Sequence, residues 1–210
     1  MSKQLEIFYL DNVLQQDWRI TVTAEMELPR WTYKVWQSNE GFEEDNVPCW
    51  IYDWMKSDWN TTVYRAIIDR LEEVVPRTAI YEFKTLESYA SSKTFGQDGL
   101  IHNDKAFQFN AVGDGFMTFI YFPGTADWDP NWGGEFQFFD EAGNVIATYY
   151  PQPNTCLVFD SNIPHRCKAP TINSGKLKKI LNYNSFVHKR WDLDTNEIPV
   201  EITEVPEQNS

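Results

Sequence analysis

The residues best suited to chemistry are two of the three histidines and a nearby aspartate. His102 and Asp104 are separated by one residue, and in an extended strand residues i and i+2 point to the same face, so both side chains can reach one ion. His165 lies 63 residues downstream, just after a predicted strand and a proline turn. A site with two histidines and one carboxylate suits non-haem Fe(II), because it leaves positions open for a bidentate organic acid and O2. We therefore predict that His102, Asp104 and His165 are metal ligands and form the catalytic centre.

Two other interpretations of these residues were weighed. Chance composition also places an aspartate two residues after a histidine, so His102 and Asp104 alone would not identify a site. The sequence offers no fourth His or Cys near the three residues, which argues against a closed structural zinc site.

The composition favours a folded protein and argues against some partners. The chain has 42% hydrophobic and 16% aromatic residues, including nine tryptophans, enough for a packed core. Its net charge of −13 would repel phosphate backbones, so we expect no nucleic-acid partner. A small molecule or a cationic peptide or protein fits this charge better.

The cysteines and the apolar runs indicate a location. Cys49, Cys156 and Cys167 are odd in number and far apart, unlike a disulfide framework, which favours a reducing compartment. No apolar stretch reaches about 18 residues, and no basic segment precedes an apolar run at the start. We expect no signal peptide, no membrane partner and a cytoplasmic location.

Turn residues divide most of the chain into short strands. Helical spacing of apolar residues predicts one long helix over 59–75, ended by Pro76, whereas 29–58 is rich in tryptophan and irregular. Predicted strands cover 5–14, 19–28, 77–84, 88–95, 99–103, 106–110, 116–123, 134–140, 144–149, 155–160, 164–168 and 176–187. Many short strands predict a sandwich or barrel, so we expect a mainly β jelly roll, or double-stranded β-helix, buttressed by helices.

Five segments, taken in order and with their spacing, resemble the iron- and 2-oxoglutarate-dependent dioxygenases, specifically the prolyl-4-hydroxylase-like branch. They are TFGQDGLIHND at 94–104, FIYF at 119–122, DWDPNWGGEFQFF at 127–139, PNTCLVFDSNIPHRCKAP at 153–170 and KLKKILNYNSF at 176–186. The chain is also similar to compact members from viruses of marine cyanobacteria, which would place it in the host cytoplasm.

The resemblance covers about half of the chain, and the helical N-terminal half is compatible with it. We predict a single dioxygenase domain over 1–191, with a helical, Trp-rich part at 29–76 and a jelly-roll core at 77–187. The last stretch, 192–210, has six acidic residues and no Lys or Arg, and is predicted to be an exposed tail.

The resemblance also implies cosubstrate ligands. The family needs one Lys or Arg after the distal histidine to pair with the far carboxylate of 2-oxoglutarate. Lys178 aligns best with the family's basic strand, and Lys176, on the same face, is the alternative. Tyr121 corresponds to a family tyrosine that binds the same carboxylate. A second family tyrosine is replaced by Lys93, which is consistent with an extra charged contact to the cosubstrate or with a shifted register.

By resemblance, the protein is an Fe(II)- and 2-oxoglutarate-dependent hydroxylase that consumes O2 and converts 2-oxoglutarate to succinate, with ascorbate as an additional candidate cofactor. The implied substrate is a prolyl residue in a peptide or protein. Because related halogenases lack the carboxylate ligand, Asp104 favours hydroxylation. The alternatives are the same cofactors acting on a free amino acid, nucleobase or other small metabolite, and a non-catalytic jelly-roll binding protein that retains a metal site.

Overall fold

A computed structural model describes residues 7–36, 47–104 and 115–189. The strands are β1 (Ile7–Leu10), β2 (Thr32–Trp36), β3 (Val47–Tyr52), β4 (Tyr81–Lys93), β5 (Gly115–Phe122), β6 (Phe136–Phe139), β7 (Val145–Tyr149), β8 (Thr155–Asp160), β9 (His165–Cys167) and β10 (Lys178–Lys189). The two α-helices are α1 (Gln16–Met26) and α2 (Asn60–Val74). Short 3-10 helices lie at Trp54–Lys56, Pro76–Ile80, Pro130–Trp132 and Ile172–Ser174.

The strands form two antiparallel sheets that face each other. The larger sheet has the order β1-β8-β5-β10-β4-β3-β2, and the smaller has the order β7-β6-β9. Neighbours in the sheets are mostly not neighbours in sequence, which is the interleaved connectivity of a jelly roll. The predicted fold, a double-stranded β-helix with helical support, is confirmed.

The larger sheet is buried on both faces. Its outer face packs against α1 and α2, where Phe119, Leu181 and Tyr183 join a core with helical residues such as Ile67. Its inner face packs against the smaller sheet through a second core, whose buried members include Ile120, Phe122, Phe136, Phe138, Leu157, Phe159 and Ile180. Adjacent residues of β5 and β10 therefore belong to different cores, because side chains alternate along a strand.

The helix predicted over 59–75 is α2. Its buried residues Val63, Ile67 and Leu71 recur every four positions, so one stripe faces the sheet. The strand predicted over 19–28 is wrong, because most of that segment belongs to helix α1. Only Val22 and Met26 of α1 are buried, at helical spacing i and i+4. The other β-branched residues of this helix give the segment the composition that is typical of a strand.

Several predicted boundaries also change. The strands predicted at 77–84 and 88–95 are one continuous strand, β4, after a 3-10 turn. The supposedly irregular stretch 29–58 contributes β2 and β3, which extend the larger sheet beyond β4. The predicted strand 99–103 is reduced to an isolated bridge at His102. The predicted strand 106–110 and the acidic tail 192–210 lie outside the described residues.

The three cysteines are buried free thiols, as expected from their number and spacing. Within residues 7–36, 47–104 and 115–189, no helix combines the length and apolar character needed to cross a membrane.

A buried hydrogen bond ties the N-terminal part of the chain to β10. The Trp54 indole Nε1 donates to the Tyr183 hydroxyl at 2.7 Å, and both side chains are fully buried. We predict that Tyr183→Phe lowers the free energy of unfolding by about 1–3 kcal/mol, because the indole N–H loses its acceptor. Urea denaturation measures this. Tyr33→Phe, at an exposed tyrosine, is the control and should have no comparable effect.

Candidate metal centre

The backbone places the two histidines side by side. His102 N donates to the His165 carbonyl at 2.9 Å, and His165 N donates to the His102 carbonyl at 2.7 Å. This reciprocal pair forms an antiparallel bridge, so both side chains lie on one face. The 62 intervening residues are thereby closed into a loop whose ends meet at the site.

The three predicted ligands converge. One ligand atom from each of His102, Asp104 and His165 lies within 4.8 Å of the others. Each histidine Nε2 is 3.5 Å from an Asp104 carboxylate oxygen, His102 from Oδ1 and His165 from Oδ2. Adjacent ligands around an ion with bonds of about 2.1 Å are about 3 Å apart. The cluster is therefore close to the size that a metal ion requires.

The other ring nitrogens orient the imidazoles. Nδ1 of His102 is 2.9 Å from the Leu100 carbonyl, and Nδ1 of His165 is 2.8 Å from the Ile163 carbonyl. A carbonyl can only accept, so each Nδ1 is assigned as the protonated donor. Each Nε2 then presents its lone pair toward Asp104, as metal-ligating histidines held by an outer hydrogen bond do.

The Thr118 hydroxyl holds Asp104, and the Ser161 hydroxyl contacts Thr118 in turn. Thr118 Oγ1 donates to Asp104 Oδ2 at 2.7 Å and lies 2.9 Å from Ser161 Oγ, and both hydroxyl residues are buried. Burial alone would raise the pKa of Asp104, but its interactions with the two histidines and with Thr118 outweigh burial and lower it. The carboxyl is therefore held as the anion, which is the form that binds metal.

The two imidazoles differ in exposure. His165 is 2% exposed, with Phe136 stacked on its ring at 5.2 Å and Phe159 edge-on at 4.8 Å. Burial, partly opposed by the charge of Asp104, lowers the pKa of His165 to about 4. Burial also acts against protonation of His102, but Asp104 reverses the effect and raises its pKa. The side chain of His102 is 51% exposed, against 3% for His165, so His102 forms the open side of the site.

The structure separates the two candidate lysines. Lys178 is 2% exposed and begins the inner-face row of β10 that continues with Ile180, a member of the inner core. Its Nζ donates to the Gly134 carbonyl at 2.8 Å and to the Lys168 carbonyl. Burial lowers the pKa of Lys178. Lys176 precedes the strand, is exposed, and lies over the Trp132 ring at 4.8 Å. Of these two lysines, Lys178 enters the barrel and Lys176 does not.

Tyr121 is not brought to the site. It lies in the outer core against the helices, and its hydroxyl donates to Asn154 Oδ1 at 3.1 Å. Its paired residue Leu181 is on the same outer face. The prediction that Tyr121 binds the cosubstrate is therefore wrong, because its neighbour Ile120 is the one that faces the barrel.

A tyrosine that the sequence analysis missed faces inward instead. Tyr89 of β4 pairs with Asn182 of β10, and Asn182 Nδ2 lies 2.9 Å from the Tyr89 hydroxyl. Burial raises the pKa of Tyr89 well above its ordinary value, and the charge of Asp104 adds to the rise. The period of two along β4 from Lys93 back to Tyr89 was the signal that could have identified it.

The inner wall carries polar atoms that suit a bound polar molecule. The Oδ1 atoms of Asn182 and Asn184, two residues apart on the inner face of β10, are buried, and neither has a hydrogen-bond partner among the described residues. Buried polar atoms normally have partners. An amide oxygen accepts, so these two atoms suit a bound molecule or water that carries hydrogen-bond donors, whereas the oriented histidines and the anionic Asp104 suit a metal.

Comparison with known proteins finds a family model that matches part of the chain. Residues 87–185 match the family model of the 2OG-Fe(II) oxygenase superfamily, and the match contains all three residues of the metal centre. That family uses Fe(II), 2-oxoglutarate and O2, the cofactors predicted from the sequence. The matched segment spans just under half of the chain, so this part of the chain is similar to that family. No curated protein sequence matches the chain.

Solved structures share the fold at low sequence identity. A Pseudomonas putida prolyl-4-hydroxylase is 16% identical with a TM-score of 0.58, covering 89% of this chain and 94% of its own. A Trichoplax adhaerens prolyl hydroxylase, in complex with a hypoxia-inducible-factor peptide fragment, is 12% identical with a TM-score of 0.55, at 87% and 83% coverage. The epimerase SnoN of nogalamycin biosynthesis is 13% identical with a TM-score of 0.63, at 90% and 82% coverage.

We predict that Thr118→Val weakens metal binding on the order of 10-fold, because the carboxylate of Asp104 loses the donor that orients it. Titration of the purified protein with Mn(II), followed by calorimetry, measures the dissociation constant. Thr118→Ser keeps the hydroxyl and should retain most of the affinity. Equal losses in the two variants would contradict an orienting role for the hydroxyl.

The backbone at Gly134 lies close to the aliphatic part of the Lys178 side chain, and a substitution can test this contact. A Cβ at Gly134 would lie 3.1 Å from Lys178 Cδ and 3.3 Å from Trp128, and the backbone has a φ of +77°. Gly143 has a φ of +83° but open space around a Cβ. We predict that Gly143→Ala costs about 1–2 kcal/mol of stability from backbone strain alone. Gly134→Ala should cost more, and equal losses in thermal denaturation would exclude the crowding.

Proposed function

We propose that the protein is an Fe(II)- and 2-oxoglutarate-dependent hydroxylase of the prolyl-4-hydroxylase-like branch. The observation that carries the proposal is the convergence of His102, Asp104 and His165, whose ligand atoms lie within 4.8 Å of one another. Two neutral imidazoles and one carboxylate on one side of an ion leave the opposite positions open, which is the arrangement of non-haem Fe(II) oxygenases.

Each residue has a defined task in this proposal. Nε2 of His102, Nε2 of His165 and the carboxylate of Asp104 would hold Fe(II), while Thr118 fixes the carboxylate. When bound, the iron supplies O2 activation coupled to decarboxylation of 2-oxoglutarate to succinate. The aromatic rings around His165 keep water from that side of the centre. Related halogenases lack the carboxylate ligand, which makes room for a halide. Here that ligand position is filled by Asp104, so hydroxylation is favoured.

Lys178 is our proposed anchor for the far carboxylate of 2-oxoglutarate. It is buried on the inner wall, and the Gly134 carbonyl holds its ammonium in place at 2.8 Å. Asn182 and Tyr89 line the same wall, between Lys178 and the level of Asp104. A buried cation binds a carboxylate strongly, because charge-assisted hydrogen bonds strengthen away from water.

The proposed substrate is a prolyl residue in a peptide or protein. Prolyl hydroxylases are among the structures that share the fold, and one of them was solved with a peptide. The net charge of −13 would favour a basic target region. SnoN, an epimerase, shares the fold equally well, so a free amino acid or small metabolite remains the second candidate.

We predict that the Fe(II)-loaded protein converts 2-oxoglutarate to succinate, and that His165→Ala lowers this turnover by more than about 100-fold because a metal ligand is removed. Succinate release under air, with and without a chelator, measures it. The matched control is His188→Ala, at a histidine outside the cluster, and it should retain the turnover. Absence of any turnover in wild-type protein with bound iron would contradict the proposal.

A substrate screen separates the remaining possibilities. Mass spectrometry of proline-containing peptides, with and without basic residues, should show a gain of one oxygen atom if the prolyl proposal holds. Oxygen gain only on free amino acids or other metabolites would favour the second candidate. Full retention of every activity in His165→Ala would instead favour a binding protein with a residual metal site.

A further inference from the structure

The inner wall carries a second buried lysine beside the proposed anchor. Lys93, the last residue of β4, is 8% exposed and pairs directly with Lys178, the first residue of β10. Directly paired residues have their Cβ atoms about 5 Å apart and point to the same face of the sheet. Both side chains therefore enter the same end of the barrel.

The two ammonium groups contact consecutive peptide units. Lys93 Nζ donates to the Cys167 carbonyl at 3.1 Å, and Lys178 Nζ donates to the carbonyl of the next residue, Lys168. Cys167 and Lys168 lie two and three residues after His165, so the segment that supplies a proposed metal ligand also accepts hydrogen bonds from both lysines. Gly99 leaves the room for this, because a Cβ there would lie 3.0 Å from Lys93 Nζ.

The pair forms no ion pair with a carboxylate among the described residues. Glu135 is near Lys178 but pairs with Lys168 at 3.3 Å. The Cys167 thiol is the other acidic group beside the two lysines, and their charges help to lower its pKa. Like charges placed directly opposite each other in a sheet repel, and buried ammonium groups lose their hydration. An anion bound between them would remove both penalties.

We infer that Lys93 is a second anchor for the far carboxylate of 2-oxoglutarate, acting with Lys178 and selecting 2-oxo acids that carry this second negative charge. The inference rests on the proposed function, since it concerns the cosubstrate of that reaction. Tyr121 faces the helices and cannot donate a hydrogen bond to this carboxylate. In our inference Lys93 is the second donor instead.

The test compares two probes that differ only at the far end. 2-Oxopentanoate keeps the chelating 2-oxo acid group of 2-oxoglutarate but has a methyl group instead of the far carboxylate. Binding of each probe to the Mn(II)-loaded protein is measured by calorimetry, so no turnover is needed. Lys93→Met should lower the affinity for 2-oxoglutarate about 10-fold or more, which is the size of a lost charge-assisted hydrogen bond. The affinity for 2-oxopentanoate should stay unchanged. Lys93→Arg keeps the charge and should retain most of the affinity.

Two controls distinguish charge from structure. Lys179→Met removes a cation from the opposite face of β10, where Lys179 pairs with Glu27 at 2.7 Å, and should change neither affinity. If Lys93→Met does not fold, Lys93→Gln carries the test, because its amide still donates but is neutral. The inference would be overturned if Lys93→Met lowered the affinity for both probes equally, or changed the affinity for neither. Failure of wild-type Mn(II) protein to bind 2-oxoglutarate would remove the proposed function itself and the inference with it.

Discussion

The two backbone hydrogen bonds between His102 and His165 hold the candidate site together. They join the approach to Asp104 with β9, and a third bond, from Gly99 N to the Cys167 carbonyl at 3.0 Å, continues the same contact outward. Side-chain orientation then follows from strand geometry, since paired residues share a face. The ligand cluster thus depends more on main-chain pairing than on the packing of flexible side chains. The ligand groups are therefore in position before an ion binds.

Much of the site could be predicted because its signals are local. The spacing of His102 and Asp104 places them on one face of an extended segment whatever surrounds them. Helix α2 was predictable because one stripe of the helix is buried and the rest is polar. The burial of Lys178 was not local. It depends on the close approach of Gly134, which only the assembled sheets reveal.

The misses have a common physical cause. β5 is buried on both faces, so the run FIYF shows no alternation, and nothing in its sequence tells that Ile120 rather than Tyr121 faces the barrel. Helix α1 buries only Val22 and Met26, so its helical period is weak and its β-branched residues dominate the pattern. Sequence patterns report contrast between faces, and both segments lack that contrast.

Strand β10 serves two compartments at once. Tyr183 points to the helical layer, where its hydroxyl meets Trp54, while Asn182 and Asn184 on either side of it line the inner wall. Inserting or deleting one residue before this stretch would exchange the two faces, moving the amides into an apolar core and the tyrosine into the pocket. A change of length at the exposed turn 140–144 leaves this alternation untouched, whereas one residue gained or lost just before Asn182 reverses it.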